Sequence, residues 1–151
     1  MFNIRGVVLA LLVSISINSC KSYNYEVSED LRPYVDEYLD ILSDNDIKYK
    51  RQDFKVVFDD ELLVTVYAGV AHGMFDSKRV QVSVHPTYWK MLSEKQKKIL
   101  IFHELSHDLF DSRHTYSVFF MAPVMHSKYL AEVIDWDRNI KELIKYIKNE
   151  R

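Results

Sequence analysis

The most constraining feature of this sequence is the segment "FHELSHDLFDSRH", residues 102 to 114. It contains three of the chain's six histidines, at positions 103, 107 and 114. The first two form the pattern HExxH, in which Glu104 directly follows the first histidine. Because polar rings among apolar residues need partners in the folded protein, this segment restricts the possible structures more than the apolar segments do.

The HExxH pattern lies inside a predicted helix that begins at Ser93, where Gln96 three residues later completes the signature of a capping box. Residues four apart share one helical face, so His103 and His107 can bind the same ion at about 2.0–2.1 Å. Glu104 is rotated by about 100° around the helix axis, which leaves it free to act as a general base on a metal-bound water. The alternative is a helix with two partly buried histidines that hydrogen bonds satisfy.

A catalytic zinc site needs a third protein ligand and an open fourth position, and His114 is the candidate. A continuing helix would place it about 10 Å further along the axis than His107. We therefore expect the helix to end near Phe110 or Asp111, and aspartate tolerates the left-handed conformation of a turn. In a second interpretation, the third ligand is an acid from a later helix, Glu132, in the way that gluzincins use a glutamate.

HExxH followed closely by a third histidine resembles the metzincin clan of zinc metallopeptidases, whose usual string is HExxHxxGxxH. In this chain the third histidine comes one residue later, and Phe110 occupies the position of the clan's glycine. More closely, "LIFHELSHDLFDSRH" is similar to a group of small bacterial lipoproteins identified as zinc metallopeptidases, which carry HELGHxxxxRxH-like segments. Arg113 approximately matches their arginine. The resemblance implies a zincin-like fold, a Zn²⁺ ion and peptide hydrolysis.

The resemblance also implies a methionine turn beneath the zinc. Met121, in "MAP", is similar to the end of that turn in the lipoprotein group, and Met125 is the second candidate. A methionine at this position packs under the histidines and does not bind the metal. Either methionine could instead simply fill the core.

Four further residues are weaker candidates for the site. His126 could bind metal or substrate, and as a fourth ligand it would close a structural zinc site. His72 and His85 flank the strand region and could approach the cleft. Tyr129 could stabilise an oxyanion, as tyrosines do in some metzincins. Each of them has a simpler explanation in exposure to solvent or in core packing.

The N-terminus predicts export. Residues 1–19 combine a basic Arg5 with an apolar run that is too short for a transmembrane helix, which is typical of a signal peptide. Cys20, the only cysteine, follows at the position of a bacterial lipobox, so we expect lipidation there and a membrane anchor in the cell envelope, on its periplasmic face or at the cell surface. An ordinary secretory signal is the alternative. Residues 20–28 are predicted to be a tether and 29–151 the folded domain.

The remaining pattern predicts an α+β domain with a small, mostly antiparallel sheet. We expect an N-terminal helix from Leu31, capped by Ser28 or Asp30, and a C-terminal helix near 137–149. The predicted strands are 54–58, 62–70 and 79–84. The family resemblance would make 79–84 the edge strand that pairs with a peptide substrate.

These features predict a lipid-anchored, zinc-dependent metallopeptidase that acts on a peptide or protein substrate as a monomer. The formal net charge of −2 argues against nucleic acid as a partner, because phosphate binding needs clustered basic residues. Glu104 would take a proton from the zinc-bound water and pass it to the leaving amine. The alternative from another class is an exported lipoprotein whose zinc site is structural and which binds a partner without cleaving it.

Overall fold

The structure, a computed structural model, describes residues 24–49, 53–74, 79–123 and 127–149. The predicted signal peptide and Cys20 lie outside the described residues, as do Met125 and His126. Among the described residues, no helix is both long and apolar enough to cross a bilayer.

The described residues form an α+β fold with four strands and five α-helices. The strands are β1 (Tyr25–Val27), β2 (Asp53–Phe58), β3 (Gly69–Ala71) and β4 (Arg79–Val84). The helices are α1 (Arg32–Asp44), α2 (Pro86–Met91), α3 (Glu94–Phe110), α4 (Lys128–Val133) and α5 (Trp136–Asn149). Two short 3-10 turns cover Asp60–Val64 and Phe119–Met121.

The four strands form one mixed sheet in the order β1-β2-β4-β3. The β1–β2 and β2–β4 pairs are parallel and only β3–β4 is antiparallel, so the prediction of a mostly antiparallel sheet is wrong. The connection from β1 to β2 contains the whole of α1, and a helical crossover of this length joins parallel strands. The same order makes β4 an interior strand. The predicted edge strand at 79–84 is therefore wrong, and β3 takes the edge position beside it.

The strand predicted at 62–70 is wrong for most of its length. The carboxylate of Asp59 accepts the backbone N–H of Glu61 and starts a 3-10 turn that runs to Val64. A side chain that bonds the backbone locally competes with strand pairing, and here it outweighs the β-propensity of the apolar residues. Within the predicted range, only Gly69 and Val70 are strand residues, at the start of β3. The predicted tether is also wrong in part, because Tyr25–Val27 pair with β2 as β1.

The helix predictions agree more closely with the structure. Ser93 and Gln96 form the complete capping box of α3, and α5 begins one residue before the predicted position. The cap of α1 differs from the prediction, because no side chain caps it and the carbonyl of Ser28 accepts the N–H groups of Leu31 and Arg32.

Helix α3 packs against α1 through buried contacts between the two. The Tyr38 hydroxyl lies 2.7 Å from Ser106 Oγ, and its ring lies 5.0 Å from that of Phe102. Tyr38, Phe102 and Ser106 are all fully buried. These contacts fix the rotation of α3, so that the helix turns its histidines toward a cavity on another side.

Candidate metal centre

Helix α3 ends at Phe110, as the sequence predicts. Asp111 takes the left-handed conformation with φ 52°, and its N–H is bonded to the carbonyl of Ser106. The Ser112 N–H contacts the same carbonyl at 3.4 Å. This helix ending is one that glycine usually provides. It reverses the chain, so that His114 returns to the helix it has just left.

The three predicted histidines converge. The Nε2 atom of His107 lies 3.0 Å from that of His103 and 3.0 Å from that of His114, and the remaining pair is 3.1 Å apart. Two of the rings come from adjacent turns of α3 and the third comes from the loop after it. Together they can bind a metal ion.

The opposite ring nitrogens show that the lone pairs point inward. His103 Nδ1 lies 2.7 Å from the carbonyl oxygen of Phe120, and His107 Nδ1 lies 2.5 Å from that of Ser112. A carbonyl only accepts, so each Nδ1 carries the proton, and in a neutral ring Nε2 is then the unprotonated nitrogen with a lone pair. Two such lone pairs 3.0 Å apart cannot bond to each other, whereas a cation between them satisfies both. Carbonyl partners of this kind orient histidine ligands in metal sites.

The Nε2 lone pairs of neighbouring rings repel each other, and protonation of His107 would not readily remove that repulsion. Burial lowers the pKa of His107, and the charge of His114 lowers it further, although the hydrogen bond to Ser112 acts in the opposite direction. The neutral ring that a metal needs is therefore the favoured form.

Glu104 lines the same cavity as the three histidines. Its side chain is buried, and burial raises its pKa to about 8 even though the backbone N–H of Ala71 donates to it. The charge of Asp108, one turn later, raises the pKa further. Glu104 is thus a carboxyl group that can exchange a proton near neutral pH.

Strand β3 runs along the cavity, and its outer edge, which pairs with no other strand among the described residues, faces α3. The N–H of His72 donates to the carbonyl of Gln81 in β4. The N–H of His85, directly after β4, donates to the carbonyl of Ala68. Antiparallel pairing alternates, so the backbone groups of Gly69 and Ala71 point away from β4. The Ala71 N–H therefore points toward α3 and donates a hydrogen bond to Glu104.

Gly69 is a point of close approach between β3 and α3. A Cβ atom there would lie 3.0 Å from Cγ and 3.1 Å from Oε1 of Glu104, and 3.1 Å from Leu100 Cδ1. Any larger residue would press on the carboxyl group. Glycine is needed here for close approach and not for an unusual backbone angle, because the described glycines have no positive φ.

The cavity has a volume of about 790 Å³ and is lined mainly by apolar residues. Among the described residues that line the cavity, Arg113 is the only lysine or arginine. Val66 and Tyr67, at the end of the cavity near β3, are largely exposed. The apolar lining is Val66, Tyr67, Ala68, Val70, Ala71, Met74, Ile99, Leu100, Phe119, Phe120, Ala122 and Pro123.

Met121 is fully buried at the end of the second 3-10 turn. Its carbonyl accepts the N–H of Thr115 at 2.8 Å, immediately after His114. The neighbouring Phe120 provides the carbonyl partner of His103. The segment 119–121 therefore supports two of the three histidines through its backbone, which sequence reasoning did not predict.

The structure places Glu132 away from the histidines. It lies on α4, where its carbonyl accepts a hydrogen bond from Lys95 Nζ near the start of α3. Lys95 is eight residues before His103, about 12 Å along the helix. The interpretation of Glu132 as third ligand is wrong, because within the described segments the ligand cluster comprises the three histidines.

The other candidates have structural roles or remain exposed. His85 caps α2 by accepting the N–H groups of Thr87 and Tyr88. His72 contacts Ser83 Oγ at 3.0 Å, and Tyr129 is exposed on α4. None of His72, His85 and Tyr129 lines the cavity.

Sequence reasoning also missed Asp108, which joins α3 to the β3–β4 hairpin. Its Oδ2 atom accepts the N–H groups of Gly73 at 2.9 Å and Gln81 at 3.1 Å. Burial raises its pKa, and the two hydrogen bonds oppose that rise. An acidic residue on an otherwise buried helical turn is the signal that could have suggested such a partner.

Comparisons with the models of protein families, with curated proteins and with solved structures give no match to this chain. Any conclusion about function therefore rests on the residues of the site.

Proposed function

We propose that this protein is a zinc-dependent, metzincin-like metallopeptidase that hydrolyses peptide bonds. The observation that carries the proposal is the convergence of three Nε2 atoms within 3.0–3.1 Å of one another, in a cavity that Glu104 also lines. Three imidazole ligands with an open fourth position are the arrangement of catalytic zinc sites.

His103, His107 and His114 would hold the zinc ion. When bound, zinc would polarise the scissile carbonyl and lower the pKa of its water. The carbonyls of Phe120 and Ser112 hold the rings of the first two histidines, so that their Nε2 atoms converge with that of His114. The cavity that the three rings line would admit a substrate to the site.

Glu104 would act as the general base. Its high pKa in the metal-free protein comes from burial, and a nearby dication would lower that pKa because it favours the carboxylate. The carboxylate would accept the proton of the water and donate it to the leaving amine. The N–H of Ala71 holds the group on the side of β3 while it does so.

A peptide substrate would pair with the outer edge of β3. The Ala71 N–H is already bonded to Glu104, which leaves the backbone groups of Gly69 and the carbonyl of Ala71 on this edge for a substrate. An added strand gains affinity from such groups with little dependence on sequence. The apolar walls favour apolar side chains on the bound peptide. Export and a lipid anchor on Cys20 remain predictions from the sequence, and so does the monomeric state.

The proposal is tested by zinc content and peptidase activity on an unfolded protein. We expect about one zinc per purified mature chain, activity that a chelator removes, and loss of activity in Glu104→Gln with zinc retained. Glu132→Gln is the matched control, since Glu132 is an acid outside the cavity, and it should keep both properties.

The same experiment distinguishes a structural zinc site in a non-catalytic binding module. Zinc bound without activity in the wild type, or equal activity in wild type and Glu104→Gln, would favour that function. A closed structural site needs a fourth protein ligand, and among the described residues the cluster offers three.

A further inference from the structure

The third histidine lies on a segment that has no secondary structure of its own. Residues 111–115 connect α3 to the rest of the chain without helix or strand, and His114 itself is exposed. A ligand on such a segment is only as well placed as the contacts that hold the backbone around it. The contacts on either side of His114 therefore decide how well the site is preorganised.

The C-terminal helix provides the contact on one side. The hydroxyl of Tyr146, on α5, accepts the N–H of Arg113 at 3.2 Å and donates to the Arg113 carbonyl at 2.9 Å. That carbonyl belongs to the peptide bond that joins Arg113 to His114. One hydroxyl thus orients both peptide groups of Arg113, and on the other side Thr115 is bonded to Met121.

Helix α5 is itself firmly packed, so the hydroxyl has a fixed position. Leu143, Ile144 and Ile147 are buried in the core. At its start, Trp136 lies edge-on to Phe120, with ring centroids 5.1 Å apart. Phe120 is the residue whose carbonyl orients His103, so α5 supports the first and the third histidine at once.

We propose that Tyr146 is a positioning residue for the metal site, which holds His114 in its binding position through the backbone of Arg113. The inference rests on the metal binding in the proposed function and not on peptide hydrolysis. It makes the C-terminal helix, remote in sequence from HExxH, a part of the metal centre.

The test is the zinc affinity of Tyr146→Phe, measured by competition with a chelator. This change removes the hydroxyl and keeps the ring that packs against the core. Loss of a group that orients a ligand typically weakens metal binding by roughly 10–100-fold, and we expect a decrease in this range. The control is Tyr34→Phe, which removes a hydroxyl bonded to Glu94 at the far end of α3 and should change the affinity less than twofold.

A double-mutant cycle separates positioning from general destabilisation. In a His114→Ala background the hydroxyl has no ligand left to position, so adding Tyr146→Phe should leave the remaining zinc affinity unchanged. The absorption of the Co²⁺-substituted protein, which reports coordination number, should shift in Tyr146→Phe toward that of His114→Ala.

Two results would overturn the inference. One is a zinc affinity of Tyr146→Phe within twofold of wild type, and the other is an equal loss of affinity with and without His114. Zinc binding that depends on Tyr146 in a protein without peptidase activity would leave the inference intact and contradict the proposed function alone. A wild type that binds no zinc would contradict both.

Discussion

The Nε2 atoms of His107 and His114 lie 3.0 Å apart, although a helix continuing from one to the other would separate them by about 10 Å along its axis. The left-handed Asp111 makes this approach possible by ending α3 and reversing the chain. In the candidate metal centre, a turn thus places the third histidine, and helical spacing places the first two.

Removal of the third ring should therefore weaken metal binding strongly. We expect His114→Ala to lower zinc affinity by more than about 100-fold, since losing a ligand costs more than losing the group that orients one. Chelator competition measures this directly. Glu132→Ala should bind zinc as the wild type does, because Glu132 lies beside Lys95. Loss of zinc affinity in Glu132→Ala but not in His114→Ala would support Glu132 as the third ligand and contradict the assignment of His114.

The close approach of Gly69 to Glu104 predicts a catalytic effect of a single methyl group. In Gly69→Ala the new Cβ atom would lie 3.0 Å from Glu104 Cγ, so the carboxyl group must shift. Because small displacements of a reacting group are costly, we expect kcat to fall about 10–100-fold. Zinc affinity should change little. An unchanged kcat would mean that the position of Glu104 does not depend on its contact with Gly69.

Gly73 provides a contrasting case on the same hairpin. A Cβ atom there would lie 2.1 Å from Asp108 Oδ1 and 2.7 Å from the carbonyl oxygen of Arg79. The carbonyl is backbone and cannot move aside easily, so Gly73→Ala should lower the free energy of unfolding by about 1–3 kcal/mol. Urea unfolding of the metal-free protein measures this. A stability equal to wild type would show that the hairpin adjusts at no cost.

The conformation of Asp111 predicts which residues can end α3. A β-branched residue is disfavoured at φ 52°, so Asp111→Val should lower the free energy of unfolding by about 1–2 kcal/mol. Asp111→Gly should fold at least as stably as the wild type, since glycine adopts this conformation without a steric penalty. Thermal unfolding of the two variants side by side tests the difference. Equal stabilities would contradict it.

Glu104 predicts a pH dependence of stability in the metal-free protein. Its folded pKa of about 8 lies above the ordinary value of 4.5, so the folded state binds the proton more tightly than the unfolded state does. The stabilisation is complete below pH 4.5 and is lost as the pH rises through about 8. Glu104→Gln stays neutral, so its advantage over wild type should grow between these limits.

Chemical unfolding of the chelator-treated proteins at pH 5 and pH 9 measures this effect. At pH 9 the Gln variant should be the more stable protein. A difference between the two proteins that does not change with pH would mean that Glu104 titrates at its ordinary pKa.

Local patterns in the sequence determined the parts of the site that lie on α3. The Ser93–Gln96 capping box and the four-residue spacing of His103 and His107 depend on helix geometry alone, which one segment encodes by itself. The end of the helix near Asp111 could be predicted for the same reason. These features needed no knowledge of distant residues.

Tertiary structure decided everything that depends on pairing between distant segments. The order of the strands, the edge position of β3 and the contact of Ala71 with Glu104 follow from which segments pack together, and periodicity does not encode this. The same holds for the Tyr146 hydroxyl on Arg113, which links residues 33 positions apart in sequence. Helical spacing is a local property of the chain, whereas strand order and long-range hydrogen bonds are set by the packing of the whole core.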